Sequence, residues 1–435
     1  FTGALKTATL TTAVQKYDID LHGHGTDITN AVTFINTGTL SLGNAAADEI
    51  TFNGGVTATD PSAITLNGKV LTSGDAVSLG DSDTNLTLNG TTSNIDTTAS
   101  SNTNGANVTI GGKVDGTTAN TQSLTITTGA TGDIVLQKQI GSTTDVKDLT
   151  LNGNDVTINK SVVVGNNAVV TNSGTFTTAS DGDITSTGTF TQNGTGDNSL
   201  AGDITTTNND ISFAKAITLT GNLAMSSGSG AGDITYSSTI NGGKTLTLTA
   251  GTGDINFDNT VGNSTELGKV TINSAGTIDT DNTFQAAGID WTATTEVQVD
   301  ALITSSKAVK MTAADIDLNA GITTTAGGTD GLVDLNAGAT GLDLKASQSI
   351  TTAAAANSGT VSGAVDIDSS GSVSINGHIV TTGAASNHAS NAASTAGNVN
   401  IDTTGSATLT VTGNITSTGG AATGSGNNGG VAGNV

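Results

Sequence analysis

Cysteine and arginine are both missing from this 435-residue chain, and proline occurs once, at Pro61. Without cysteine there is no disulfide, no thiolate metal site and no thiol nucleophile. Every basic side chain, from Lys6 to Lys345, is a lysine, so the planar fork that grips phosphates, carboxylates and guanine bases is missing. With 37 acidic against 13 basic residues, the net charge of −24 repels polyanions, which argues against nucleic acid as a partner. Aromatic residues make up 3%, and no apolar run reaches the ~18 residues of a membrane span. Charged residues are also few, 11% in all, so the usual charge-rich, proline-rich composition of disordered chains does not apply. The start at Phe1, with neither a charged n-region nor an apolar h-region, is read as a processed product or an excerpt from something longer.

What is abundant is glycine, with 59 residues, together with threonine, serine and asparagine. These residues are arranged in repeats. One unit runs GAVDIDSSGSVSINGHIVTTGAASNHASNAASTA from Gly363, the next GNVNIDTTGSATLTVTGNITSTGGAATGSGNNGGVA from Gly397, and a third opens at Gly433. Val365, Val399 and Val435 are equivalent, as are Ile379 and Ile415. The period therefore grows by two residues within the second unit, a step placed inside its second short strand, where an even insertion keeps the inside–outside alternation. Upstream, the triplet GDI recurs from Gly132, Gly182, Gly202, Gly232 and Gly253. A longer phrase, SLTITTGATGDIVLQKQIG from Ser123, is echoed by TLTLTAGTGDINFDNTVG from Thr245.

Within each unit apolar residues alternate with polar ones, as in Val365, Ile367, Val373 and Ile375, then Val399, Ile401, Ala407, Leu409 and Val411. That is the period of a strand with one buried face. Repeats of about 20–36 residues holding three or so short strands predict an all-β fold, a right-handed parallel β-helix or β-solenoid of irregular coils. At about 22 residues and ~4.8 Å per coil the expected rod is near ~95 Å long. One continuous solenoid is expected over 1–435, with shorter coils over 1–360 and longer ones over 361–435. In the latter, segments such as Ala384–Ala396 form loops from one face, and Ala353–Gly359 has the same composition. A string of β-sandwiches is the rival, disfavoured because only Trp291, Tyr17 and Tyr236 join the phenylalanines as core-filling rings.

Chemistry is sparsely marked. In LHGHGTD, His22 and His24 would point to one face of a strand and, with Asp27, form the metal-ligand candidate; a turn is the plainer reading. His378 and His388 lie in separate repeat elements. Stacked GDI aspartates would make acidic ladders able to take occasional calcium, but most are read as turn caps or solvent-facing groups. No catalytic or cofactor-binding residue is assigned: stacked coils bring carboxylates together anywhere, and an acidic-sugar enzyme would want arginine. Alternating threonine runs allow a flat ice-binding array, though no TxT register persists through the sequence.

The phrases TLTLTAGTGDINF, ELGKVTINSAGTI, SAITLNGKV and GNVNIDTTGSATLTVTGNI resemble the β-strand repeats of filamentous-haemagglutinin-like adhesins and autotransporter passengers of bacteria. The resemblance runs from about residue 30 onward; the Asn-Pro motifs of a two-partner secretion domain are not seen. It implies an extracellular, cell-surface, non-enzymatic β-helix serving as adhesin, stalk or matrix. The expected partner is the chain itself, stacked end to end in a fibre or longer chain, with surface glycans or a neighbouring cell surface as secondary partners. The alternative is a carbohydrate-active, carbohydrate-binding or ice-binding β-helix module.

Overall fold

Alternating sequences this poor in bulky residues can bury their apolar side chains only by laying one coil on the next. A computed structural model describes residues 1–354, 361–386, 393–422 and 429–435, and shows that solution. The chain is a parallel β-solenoid, with no α-helix among the described residues and two short 3-10 turns, Ala99–Ser101 and Gly328–Gly331. Its contacts divide into two compact units, Phe1–Gly221 and Asn222–Val435. Within the second unit the coils already lengthen before residue 360, from 24 residues (Val309 to Val333) to 32 (Val333 to Val365).

Each unit has three strands to a coil, and each strand pairs in parallel with its equivalents in the coils before and after. In unit 1 the first ladder includes Val162–Val164, Ile184–Ser186 and Ile204–Thr206. The second includes Ser123–Thr127, Leu149–Gly153 and Ala168–Asn172, and the third Val156–Ile158, Phe176–Thr178 and Asn198–Leu200. Unit 2 repeats the scheme. Its first ladder holds Val365–Ser369 and Val399–Thr403, its second Ser372–Ile375 and Leu409–Val411, its third His378–Thr382 and Ile415–Thr418. Within unit 2, coil length ranges from 19 residues (Val270 to Ile289) to 36 (Val373 to Leu409). A sandwich would need antiparallel ladders; among the described residues the antiparallel contacts are two isolated bridges, Ser73 with Thr98 and Gly327 with Ser362.

The register places the two-residue step elsewhere than the sequence suggested. Ser369 still faces Thr403, 34 residues on, while Val373 already faces Leu409, 36 residues on. The extra pair lies in the turn at Thr404–Thr408, before the strand, and Ala407 is a turn residue with no ladder partner. A turn absorbs two residues without disturbing a paired strand.

Inward positions are filled by Val, Ile and Leu, nearly all fully buried, and the buried aromatics gather into a Phe34–Phe52 pair, 6.1 Å between centroids, and two longer columns. Phe176, Phe190 and Phe213 follow one another in unit 1, with centroids 6.2 and 5.3 Å apart. In unit 2, Tyr236, Phe257, Phe284 and Trp291 form a second stack with successive spacings of 5.4, 5.2 and 5.0 Å. Trp291 is fully enclosed and its Nε1 has no partner, a desolvation cost of about 1–3 kcal/mol that the ring's burial must exceed. The Tyr236 hydroxyl is likewise buried; it donates to Met225 Sδ at 3.1 Å, and burial pushes its pKa well up.

GDI is a stacking device. In unit 1, Gly202 lies directly over Gly182, and in unit 2 Gly253 lies over Gly232; a Cβ on the upper glycine would overlap the carbonyl below. The next residue continues the stack, because the Asp203 N–H donates to Asp183 Oδ1 and the Asp254 N–H to Asp233 Oδ1, both at 2.8 Å. Buried hydroxyls tie the same corners: Thr128 donates to the Gly132 carbonyl at 2.7 Å and Ser227 to that of Gly232 at 2.5 Å. In the long coils of unit 2 this becomes a column. Thr324, Thr352 and Thr381 are register partners, and each donates inward to a stacked glycine, Gly331, Gly363 and Gly397 in turn.

Replacing Gly253 by alanine should destabilise unit 2 by about 2 kcal/mol, since backbone rather than a side chain would have to move. Trp291, the sole tryptophan, reports this directly in urea titrations followed by fluorescence. Thr247→Ala, on the outward face of the Leu246–Thr249 strand, should shift the midpoint by less than about 0.5 kcal/mol. Equal effects would show that close glycine stacking does not control the fold.

Candidate functional site

The outward faces of the ladders carry whatever chemistry the surface has. His22 and His24 do not share a strand: the strand Ile19–Leu21 ends before them, and residues 24 and 25 turn the chain into Thr26–Ile28. His22 Nε2 is engaged with Ser41 Oγ at 2.9 Å, and Asp27 Oδ1 accepts from Asn53 Nδ2 at 2.6 Å. Each of those two therefore has a partner in the following coil, and the structure does not gather His22, His24 and Asp27 into one group. His378 Nδ1 accepts the Asn414 N–H at 3.2 Å, a link between coils. His388 and the centre of the Ala384–Ala396 segment, like most of Ala353–Gly359, lie outside the described residues.

A different triad comes together in unit 2. Asp279, Asp281 and Asp300 each place an oxygen within 4.8 Å of the others, the one such group of three among the described residues. Asp279 Oδ1 is out of solvent and has no hydrogen-bond partner. Three oxygens at this spacing are a donor set that a hard cation such as Ca²⁺ takes, so these are the residues that could hold one. Nothing in their linear spacing points to this. Asp279 and Asp300 belong to successive coils, and only the register brings them close.

The triad belongs to a wider acidic face. Along the second ladder of unit 2, Asp279 faces Gln298, Gln298 faces Asp317, and Asp317 faces Asp343; beside them Glu296 faces Asp315. On the first ladder Asp334 faces Asp366, and Asp368 faces Asp402. Lysines relieve this in places, Lys345 meeting Asp343 at 2.6 Å and Lys269 meeting Asp290 at 2.7 Å. Partial burial and then neighbouring carboxylates hold the pKa of Glu296, Asp315 and Asp368 above the ordinary range, and the same two causes act on Asp279. Unit 1 shows the opposite sign. There a hydrogen bond from the Thr39 backbone lowers Asp18, the Lys69 ammonium lowers Glu49, and backbone N–H groups of the Asp81–Thr84 turn lower Asp81.

Threonine forms a column, but a narrow one. On the third ladder of unit 1, Thr33, Thr57, Ser78, Thr109, Val135 and Thr157 face outward in register, followed by Thr177, Ser199 and Thr218. The residues two places further along are mixed, among them Ile35, Gly80, Gln137 and Ala179. The array is one residue wide, whereas a TxT surface needs two columns. The hydroxyls are spread by coils of unequal length, which is why no fixed period betrays them.

A carboxylate whose folded pKa is raised binds its proton more tightly in the folded state. Its stabilisation is full below the unfolded pKa and is lost as pH climbs through the folded one. Unit 2 should therefore become more stable as pH falls from 7 toward the ordinary carboxylate values, 3.8 for Asp and 4.5 for Glu. The lowered groups of unit 1 should lose stability as pH drops through and below those values. Glu296→Gln at pH 7 should reproduce part of the unit 2 gain, about 0.5 kcal/mol, by removing a like-charge cross-strand pair. Urea midpoints read by Trp291 at pH 7 and 5 test this; an unchanged or falling midpoint at pH 5 would contradict it.

No protein family matches the chain, and neither a curated protein nor a solved structure matches it.

Proposed function

We propose that the chain is an extracellular structural and adhesive element of a bacterial cell surface or matrix, a β-helical rod whose coils extend by end-to-end stacking. The observation that carries this reading is the parallel ladder itself. Interior strands such as Val365–Ser369, Ser372–Ile375 and His378–Thr382 are paired on both sides, so the surface along the coils offers no free sheet edge, and growth is possible only along the stack. Leu409 and Val411 support it: they are 45% and 42% exposed, while Val373 and Ile375, their partners one coil earlier, are fully buried. A further coil, supplied by a second copy or by more of the same chain, would cover them. The acidic faces of unit 2 keep such stacks apart sideways, since like charges meet wherever two of those faces approach. The sequence resemblance to bacterial β-strand-repeat adhesins points to the same setting.

Electron microscopy and fibre diffraction of the purified chain test the assembly. Thin filaments with an axial spacing of ~4.8 Å are expected, and Leu409→Lys with Val411→Lys should shorten or abolish them by placing charge in the stacking surface. Dispersed particles at every concentration, for wild type and variant alike, would refute end-to-end assembly.

A further inference from the structure

Unit 1 contains an uncharged, polar groove on this acidic molecule. It lies where the second ladder turns into the third, has a volume of about 300 Å³, and no charged residue lines it. One wall is a row of register partners from successive coils: Thr127 faces Asn152, and Asn152 faces Thr171. Asn193 continues the row, its Oδ1 accepting from Thr171 Oγ1 at 2.7 Å. Hydroxyl and carboxamide groups therefore alternate at the coil spacing of ~4.8 Å. Gly129, Gly153 and Gly194 complete the lining, each packed so closely that a Cβ would overlap its neighbours.

Much of this hydrogen-bonding capacity is unspent. The Asn152 carboxamide and the Thr127 hydroxyl make no side-chain hydrogen bond, and Asn193 keeps both amide hydrogens free. The floor, in contrast, is fixed. Asn172 is 1% exposed, donates through Nδ2 to the carbonyls of Gly174 at 2.8 Å and Asp197 at 3.2 Å, and accepts from Gln192 Nε2 at 2.7 Å. Gln192 is itself buried at 1% and also receives the Ala214 N–H at 3.2 Å. Gln192 thus occupies an inward position where the neighbouring coils place Val170 and Phe213, and Asn172 one where the preceding coil places Gly153; their hydrogen bonds hold the corner rigid. A rigid surface loses little freedom when a ligand settles on it.

We propose that this groove binds an extended neutral glycan, its hydroxyls paired with the Thr127–Asn152–Thr171–Asn193 row. An acidic glycan would meet no cation there, and would approach a chain of net charge −24. A peptide adding as a strand would need an unpaired edge, and the strands beside the groove are paired on both sides. Without an aromatic platform a single groove binds weakly, so useful adhesion comes from many copies on one assembly. The inference rests on the adhesive half of the proposed function and is independent of filament growth.

The test is a set of fluorescent hexasaccharides, neutral gluco-, manno- and galacto-series beside uronic-acid analogues, titrated with the intact chain and read by polarisation. At least one neutral series should bind, and the uronic acids should not. Asn152→Ala with Asn193→Ala should weaken that binding at least tenfold. Thr171→Val, which keeps the side chain's shape and removes its hydroxyl, should weaken it severalfold, with an unchanged circular-dichroism melt showing that the fold survives. Absence of neutral binding, a preference for uronic acids, or binding unaffected by these variants would each overturn the proposal. Filaments formed by a chain that binds none of the sugars would leave the structural reading standing and remove the glycan.

Discussion

Parallel pairing between a strand and its equivalent one coil later is the constraint on which the rest depends. A strand of three residues, such as Ile184–Ser186, has no stability by itself; it is held by the strands of its ladder on either side and by side chains stacked in columns. Because each residue has a counterpart in the next coil, a residue type suited to one coil is suited to its neighbours. Valine stands on valine, glycine on glycine, aspartate on the N–H of the next aspartate. The composition follows from this arrangement. Glycine is frequent because backbones meet at the corners, and aromatic rings are few because a thin core has room for them only where several can stack.

The same rule places the chemistry. Charges close in space are far apart in sequence, as with Glu296 and Asp315 or Asp279 and Asp300. Like groups stack on like unless the sequence intervenes, so an acidic outward position becomes an acidic row. Unit 2 accepts that cost on two of its ladders, and lysines such as Lys345 and Lys269 offset part of it. Such half-exposed pairs contribute little, about 0–1 kcal/mol each, so the core carries the stability. In unit 1 carboxylates are more often spent on backbone N–H groups, as Asp18 is on Thr39, and the groove beside Asn152 is left with no charge at all.

Strand alternation made the fold class legible, and Val365 and Val399 do face each other as their repeat implied. The step to a 36-residue period was legible as an even insertion but not as a turn insertion, because Ala407 continues the alternation without joining the strand. Alternation could not reveal where strands end either. His22 and His24 would share a face only if Ile19–Leu21 ran on through them, and Gly23 and Gly25 instead mark a turn. The echo between Ser123 and Thr245 and the recurring GDI were legible as words but not as places. Within unit 1 the GDI at Gly132 leads into a third-ladder strand, while those at Gly182 and Gly202 lead into first-ladder strands. The motif suits any corner where a glycine must pass under a carbonyl. The acidic triad and the neutral groove depend on register between coils of unequal length, which no fixed period encodes.

That register can be tested chemically, because the chain has no cysteine of its own. Thr157 and Thr177 are outward partners in successive coils, and Ser199 is the partner of Thr177 one coil further. Adjacent coils place Cα atoms ~4.8 Å apart, within disulfide reach, whereas two coils separate them by about 9.6 Å, beyond it. Under mild oxidation, the pair Thr157→Cys with Thr177→Cys should form an intrachain disulfide, and Thr157→Cys with Ser199→Cys should not. Cross-linking of the second pair in preference to the first would contradict the stacked-coil account.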